Sequence, residues 1–487
     1  MVRPKRPSFV ISLPLPMSPA QARLIEDTFL VATRLHNVMV QHGRVIFDRL
    51  KQDPDWQRAR DMPTTTAEER VARRKLFREL RERHGFRDYD FQGEVVRHKN
   101  AGFRGRIGSN MAQKIATKVF LAFEQVLFNA RGKPRFRTAH RPLRSIEEKS
   151  KDTGLRLTGD ATAVTFRGMQ VPLKLPDEAS DPWLFEALQA PTRYCRLLRR
   201  KGRYGWMYTL QIIKGGYPPQ KPRHVANRAA DGSVGGWDLG PSRIAMVTDT
   251  HAALIPFCAS IDPLDRELRR LQRKLDRQRR ANNPDRFDAK GRIRPGGGRW
   301  VSSRRMRATE ARISRLLRRL AKARQTDQGR LANRFMEFAT TWRDDGVSLK
   351  WLQSMYGRSI KTKAPGQFVA AITRKAERAG ASRDRQSARV LKTSQYDHSR
   401  DCNTPKKLSE RWHDFADGRG RVQRDIYSAF LARNAVRVPS DNPETGWRHD
   451  PVVLERAWQD LAPGLEECGL FVRDRGRHLP SAPPDQG

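Results

Sequence analysis

Apolar residues return at every third or fourth position through much of the first 130 residues, the spacing that lines one face of a helix. After Ser18, a residue type that caps helix starts, Leu24, Ile25, Phe29, Val31 and Leu35 keep this rhythm. Met111, Ile115, Val119, Leu121 and Phe123 repeat it within 108–127. Ahead of them Phe9, Ile11 and Leu13 alternate, which predicts a strand over 8–13 broken by Pro14. Residues 20–130 are therefore expected to be mainly helical, with a highly charged stretch around 66–84.

Between 150 and 215 the texture changes to short β-like runs punctuated by Gly and Pro. Leu155-Arg156-Leu157, Ala163 to Phe166, Gln170 to Leu173, Tyr194 to Leu198 and Trp206 to Ile213 predict a small β-barrel or sheet, which strand 8–13 could complete. Residues 215–232, rich in Pro, Gly and Arg, read as a linker. Next, the Gly-flanked apolar run from Val234 ends on Asp238, and Ile244 to Val247 is again β-like. Leu264, Leu268, Leu271 and Leu275 predict a helix in 262–280. Ile313, Leu316, Leu317 and Leu320 predict a second in 303–325, the pair forming an antiparallel basic hairpin around Gly296-Gly297-Gly298. That spacing alone fits a plain coiled-coil hairpin equally well. A further helix is expected over 452–461, and the Pro-rich end 479–487 is expected to be disordered.

Charge narrows the partner. The 487 residues carry 96 Lys plus Arg against 53 Asp plus Glu, a net charge of +43. Such an excess calls for a polyanion, and Arg offers phosphate a planar fork of donors. A solvated basic surface or a membrane surface would also use positive charge, but basic residues spread over nearly the whole length favour nucleic acid. No run reaches about twenty apolar residues, the length of a membrane span. Met1 to Arg6 leads into an apolar stretch too brief for a signal peptide. Cys195, Cys258, Cys402 and Cys468 lie too far apart to suggest a disulfide framework, so a cytoplasmic setting is expected.

Against this charge two carboxylates stand out. Asp238 closes its short run, and Asp425 opens a helix in Gln423-Arg424-Asp425-Ile426-Tyr427. Carboxylates in a basic chain point to metal-dependent chemistry on nucleic acid, because hard oxygen ligands hold the cations that bind phosphate.

The first strand is followed by Ser18-Pro19-Ala20-Gln21 with a helix reaching Leu35-His36-Asn37, and then by Arg131-Gly132-Lys133-Pro134-Arg135-Phe136-Arg137. Asp238-Leu239-Gly240, the basic hairpin and Gln423-Arg424-Asp425 come next. The order of these motifs, over about 8–434, resembles TnpB, the transposon-encoded RNA-guided nucleases, and the compact type V CRISPR effectors related to them. Tyr356-Gly357-Arg358-Ser359, Ala364-Pro365-Gly366 and Lys406 to His413 resemble the small type V branch.

The resemblance implies an α+β multidomain fold. Its parts would be an N-terminal strand (1–19) joining the β domain, a helical guide- and target-binding domain (20–150) and a wedge-like β-barrel domain (151–222). A RuvC-like, RNase-H-type nuclease domain would cover 223–391 and 421–440, with the basic hairpin 262–325 inserted. Residues 392–420 would be a degenerate zinc-ribbon-like insert and 441–487 a tail. Three carboxylates would bind two Mg²⁺ ions: Asp238, Asp425 and, between them, Asp345 where the family has a Glu. Asp-Asp-Gly at 344–346 also reads as a simple turn. The ribbon's two Cys pairs are missing; His398, Cys402, His413 and Asp417 are the remaining zinc candidates, and a metal-free insert with surface or nucleic-acid-contacting histidines is preferred. Cys195, Cys258 and Cys468 are expected to be buried.

Implied partners are a guide RNA, target double-stranded DNA and, as one or two copies per guide, a second copy of the chain. Candidate nucleic-acid contacts are Lys133, Arg135, Phe136, Arg137, Arg269, Arg273 and Arg424, with Trp237 or Trp351 as base-stacking residues. Three functions stay open: an RNA-guided DNA endonuclease, a guided binder that silences without efficient cutting, and an unguided basic RNA-binding protein.

Overall fold

Ser18 caps the first long helix of the computed structural model, its hydroxyl accepting from the Gln21 N–H while the Gln21 side chain accepts from the Ser18 N–H. This reciprocal capping box satisfies two otherwise orphaned donors. The structure describes residues 7–129, 132–139, 141–202, 205–295, 300–346, 348–407 and 409–474. They form two units that divide between Lys221 and Pro222.

In the first unit the helices are Pro19–Gln52, Pro54–Asp61, Ala67–Arg83, Asp88–Gly102 and Ser109–Asn129. Phe29, Leu35, Met39 and Phe47 of the first helix pack with Phe91, Met111 and Phe123. Gly43 lets two of these helices close: a Cβ there would lie 2.4 Å from the Phe123 ring. Leu24 and Leu121, expected on the apolar faces, are exposed instead. Strand Ser8–Pro14 pairs with Trp206–Gly215, which pairs with Thr192–Lys201 and then Ser145–Glu147. Among the described residues, Ser8–Pro14 and Ser145–Glu147 are the outer strands of this antiparallel sheet. A second, three-stranded sheet joins Arg156–Leu157, Ala163–Phe166 and Met169–Pro172. Helix Pro182–Gln189, within the expected β region, starts at an Asp181 cap.

The second unit centres on a five-stranded sheet in the order Ala252–Pro256, Arg243–Val247, Val234–Leu239, Thr341–Asp344, Ser382–Arg385. The first three are antiparallel; Thr341–Asp344 and Ser382–Arg385 run parallel to Val234–Leu239. One face packs Trp237 and Trp342 against Phe335 of helix Arg304–Phe338 and Phe368 of helix Pro365–Ala379. The other packs Ala245 and Val247 against Tyr427 and Phe430 of helix Arg424–Asn434, backed by Trp458 of helix Pro451–Glu467.

Helices Asp262–Asn282 and Arg304–Phe338 form the basic hairpin, sealed by Leu268, Leu271 and Leu275 against Ile313, Leu316 and Leu320. Leu317, expected in that seam, is exposed. The second helix outruns its predicted end at 325 because Leu331, Ala332 and Phe335 continue onto the sheet core. The Gly296–298 turn and the 479–487 tail lie outside the described residues. Residues 441–474 are not a tail: besides helix Pro451–Glu467, strand Phe471–Arg473 pairs with Gly420–Gln423. Among the described residues no helix is long and apolar enough to cross a membrane.

Candidate active site

Two adjacent glycines determine what surrounds Asp238. A Cβ on Gly235 would meet the Trp342 ring at 2.6 Å, and one on Gly236 would meet the Ala429 carbonyl oxygen at 2.0 Å. Because side chains alternate along a strand, Gly235 and Trp237 share one face, while Gly236 and Asp238 share the other. Helix Arg424–Asn434 therefore lies directly on the strand at Gly236, and its first turn, carrying Asp425, reaches the Asp238 end. Gln423 caps that turn: its side-chain oxygen accepts from the Ile426 N–H at 2.8 Å, and its amide donates to Asp425 Oδ2 at 3.3 Å. A helix N-terminus also favours a carboxylate electrostatically.

The parallel ladder supplies the third group. Thr341 faces Val234, Trp342 faces Gly235 and Arg343 faces Gly236; the same offset carries Asp345 level with Asp238. Both carboxylates leave the carboxyl ends of neighbouring parallel strands, beside the point where the sheet changes from parallel to antiparallel. Ligand crevices in open α/β sheets form at such ends.

The neighbouring acids separate by role. Asp344 is buried, accepts from Arg383 Nε and Nη2 at 2.8 and 2.9 Å, and takes the Gly346 N–H at 3.0 Å. Gly346, at φ +61°, supplies the left-handed turn. The turn reading of 344–346 thus describes Asp344 and Gly346, whereas Asp345 lines the same cavity as Asp238 and Asp425. This cavity, about 290 Å³, is also lined by Trp351, Lys406, Arg411 and Arg424.

Its electrostatics are those of crowded anions. Asp238 keeps some accessible surface toward the cavity, yet protein encloses it. Burial pushes its carboxyl well above the ordinary value of 3.8, and the charges of Asp345 and then Asp425 push it further, against the opposing pull of Arg424. Arg424 lies 3.7 Å from Asp425. A carboxyl raised on folding contributes stability below pH 3.8 that is lost as pH rises toward its folded value. Asp238→Asn should therefore melt level with wild type near pH 4 and higher at pH 8. A gain of about 2–4 °C corresponds to ~1 kcal/mol in a unit this large; metal-free thermal melts across pH check it, and a pH-independent difference would refute it.

The donor set is all carboxylate oxygen, the chemistry hard divalent cations take, and the mutual repulsion is what a cation relieves. The residues therefore suit Mg²⁺ by type. Among the described residues, however, no three His, Cys, Asp or Glu side chains close into a ready-made metal cage.

The four zinc candidates do not come together as such a cage. His398 and His413 are buried, not at the surface as expected. His398 Nδ1 lies 2.6 Å from the Tyr427 hydroxyl, and burial brings its pKa down to about 4. His413 Nε2 lies 3.3 Å from Asp397, while its Nδ1 meets Lys406. Asp417 pairs with Arg419, and Cys402 sits on the small hairpin strand Cys402–Asn403. Their aromatic neighbours Phe415, Tyr427 and Trp458 explain the burial, because the helix after Asp425 brings an apolar face to this insert. Cys195 and Cys258 are buried as expected; Cys468 is exposed at the end of helix Pro451–Glu467.

Trp237 is core, edge-on to Phe335 and Phe368, so it cannot stack on a base; Trp351 is exposed and lines the cavity. Of the basic candidates, Arg424 is at the site, Arg269 is tied to Asp265, and Arg273 is exposed on the hairpin. In the first unit Lys133, Arg135, Phe136 and Arg137 are exposed on an extended segment. Asn37 clamps it by donating to the Arg137 carbonyl and accepting its N–H, and Arg44 donates to the Pro134 carbonyl and stacks over Phe136. Sequence reasoning missed Lys406 and Arg411 as cavity residues; basic residues are so common in this chain that these two carried no distinguishing signal.

No protein-family model matches this chain, and no curated protein does. Among solved structures, the chain is similar to the Cas12f1–sgRNA–target DNA complex at 10% identity and TM-score 0.46, covering 87% of this chain and 98% of that one. It is also similar to a CRISPR-Cas12f ternary complex at 12% identity and TM-score 0.27, covering 88% and 99%.

Proposed function

We propose that this chain is an RNA-guided DNA endonuclease in which Asp238, Asp345 and Asp425 form a RuvC-like nuclease site. The observation that carries this reading is the meeting of three carboxylates, from three distant points of a strongly basic chain, at one cavity rimmed by Arg411 and Arg424. The central sheet, with its antiparallel and parallel halves, supports an RNase-H-type unit. Two Mg²⁺ ions held by the carboxylates would supply an activated water and stabilise the leaving oxygen. Arg411, Arg424 and Lys406 would orient the phosphodiester, and Trp351 would stack a base of the entering single strand. The RNA guide enters through the sequence resemblance: base pairing would read the target, and the protein would read a short flanking motif.

Lys133, Arg135 and Arg137 would hold nucleic-acid backbone. Replacing all three with Ala should weaken binding across sequences alike and reduce the slope of log K against log salt by about 2–3. Filter binding at several salt concentrations measures this; an unchanged slope removes the segment from the interface.

A guided binder that cuts poorly is the second reading, favoured by the short Asp345 and the absence of a closed cage among the described residues. Plasmid cleavage in Mg²⁺ beside filter binding, for wild type and Asp238→Ala, separates the two. Guide-dependent binding without cutting selects the binder, and binding indifferent to the guide rejects both.

A further inference from the structure

Asp345 and Asp425 sit on separate segments, and Thr393 contacts Asp345 itself and the helix that carries Asp425. Its hydroxyl donates to Asp345 Oδ2 at 3.1 Å, and its carbonyl accepts from the Ser428 hydroxyl at 3.3 Å. Ser428 lies about one turn beyond Asp425 on helix Arg424–Asn434. Thr393 is 2% exposed yet lines the carboxylate cavity.

The backbone before it is unusual. Lys392 has φ 46° and ψ 40°, a left-handed conformation that L side chains disfavour. It persists because its N–H donates to Ala388, and its carbonyl accepts from Gln395 and Tyr396 at 2.7 and 3.1 Å. Strain over-determined in this way clusters at functional sites. Here it turns the chain sharply between helix Ala388–Leu391 and strand Tyr396–Asp397, with Thr393 beside Asp345.

We propose that Thr393 is a positioning residue for the metal-binding carboxylates, coupling Asp345 to the helix that carries Asp425. The hydroxyl donor holds the short Asp345 side chain by one of its carboxylate oxygens. The main-chain contact to Ser428 ties that carboxylate to the neighbouring helix. Partners that orient metal ligands in this way are worth about 10–100-fold in metal affinity. The assignment rests on the proposed metal site, and its test includes a measurement that needs no cleavage.

Thr393→Val removes the hydroxyl at nearly constant shape; Thr393→Ser keeps it. Each is titrated with Mg²⁺ alone by calorimetry on the full chain, with Asp345→Ala marking which heat belongs to the site. Cleavage is then followed against Mg²⁺ concentration. The valine variant should bind Mg²⁺ about tenfold more weakly or worse and shift half-maximal cleavage to correspondingly higher Mg²⁺. Guide-dependent DNA binding should stay unchanged, and the serine variant should recover most of the loss. Unaltered Mg²⁺ affinity in the valine variant overturns the assignment, as does a serine variant equally impaired. Wild type that binds Mg²⁺ but never cuts, with the valine variant weaker, keeps Thr393 in its role and rejects the nuclease. Wild type without a carboxylate-dependent Mg²⁺ heat overturns both.

Discussion

Asp238→Ala should lower Mg²⁺-dependent cleavage of a guide-matched plasmid by on the order of 10³-fold or more, while guide-directed binding stays within about twofold. Metal ions stabilise transition-state charge by several kcal/mol, and each 1.36 kcal/mol is about tenfold in rate. Asp238 shares the cavity with both other carboxylates, its carboxyl raised first by burial and then by the charges of Asp345 and Asp425. On the proposed reading, removing it would both cost a metal ligand and leave Asp345 and Asp425 without the carboxylate that faces them. The loss cannot be assigned to relieved repulsion weakening the fold, since taking away a buried, mutually repelled carboxyl favours the folded state near neutral pH. Retained binding with lost cutting establishes the nuclease and makes Asp345 an adequate middle ligand. Equal cutting by mutant and wild type would remove this cavity from the chemistry.

Gly236→Ala should be nearly as damaging by a different route. The added Cβ would sit 2.0 Å from the Ala429 carbonyl oxygen and 2.7 Å from the Arg433 backbone nitrogen. Backbone cannot swing aside as a side chain can, so helix Arg424–Asn434 must lift from the strand. Overpacking in a filled core costs about 1–3 kcal/mol and more where the backbone itself must shift. At about 2–4 °C per kcal/mol, a fall in Tm of roughly 6 °C or more is expected. Because Asp425 rides on that helix, cleavage should fall further than the loss of folded protein explains. Gly329, inside helix Arg304–Phe338 with nothing within 4 Å of a built Cβ, is the control: Gly329→Ala should raise stability by about 0.5–1 kcal/mol. Thermal melts and single-turnover cleavage read both; a Gly236→Ala protein that melts and cuts as wild type would show the helix is free to move.

Local periodicity made much of the secondary structure legible before any coordinates. The Ser18 cap, the strand through Ile11 and the leucine rows of the hairpin are signals between residues no more than four apart, where backbone geometry alone dictates the neighbours. Where such signals failed, packing had the last word. Leu24, Leu121 and Leu317 fit the helical rhythm but are exposed, because a face is apolar only where something covers it. Helix Pro182–Gln189 interrupts a stretch read as β, and Trp458 and Phe471 bind a supposed tail into the core.

The chain's charge and the identities of Asp238 and Asp425 as candidate ligands came from sequence, since composition and motif order need no third dimension. Asp345 was named through the resemblance, with a plain turn at 344–346 left open; that Arg383 claims Asp344 while Asp345 lines the cavity came from structure. The burial of His398 and His413, the core position of Trp237 and the placing of Thr393 between two carboxylate-bearing elements were also decided there. The physical reason is common to all of them. Sequence spacing determines direction along one helix or strand, whereas the side chains that meet across elements are chosen by close packing, here by Gly236, which lets a helix lie on a strand, and by Gly235, which makes room for the Trp342 ring.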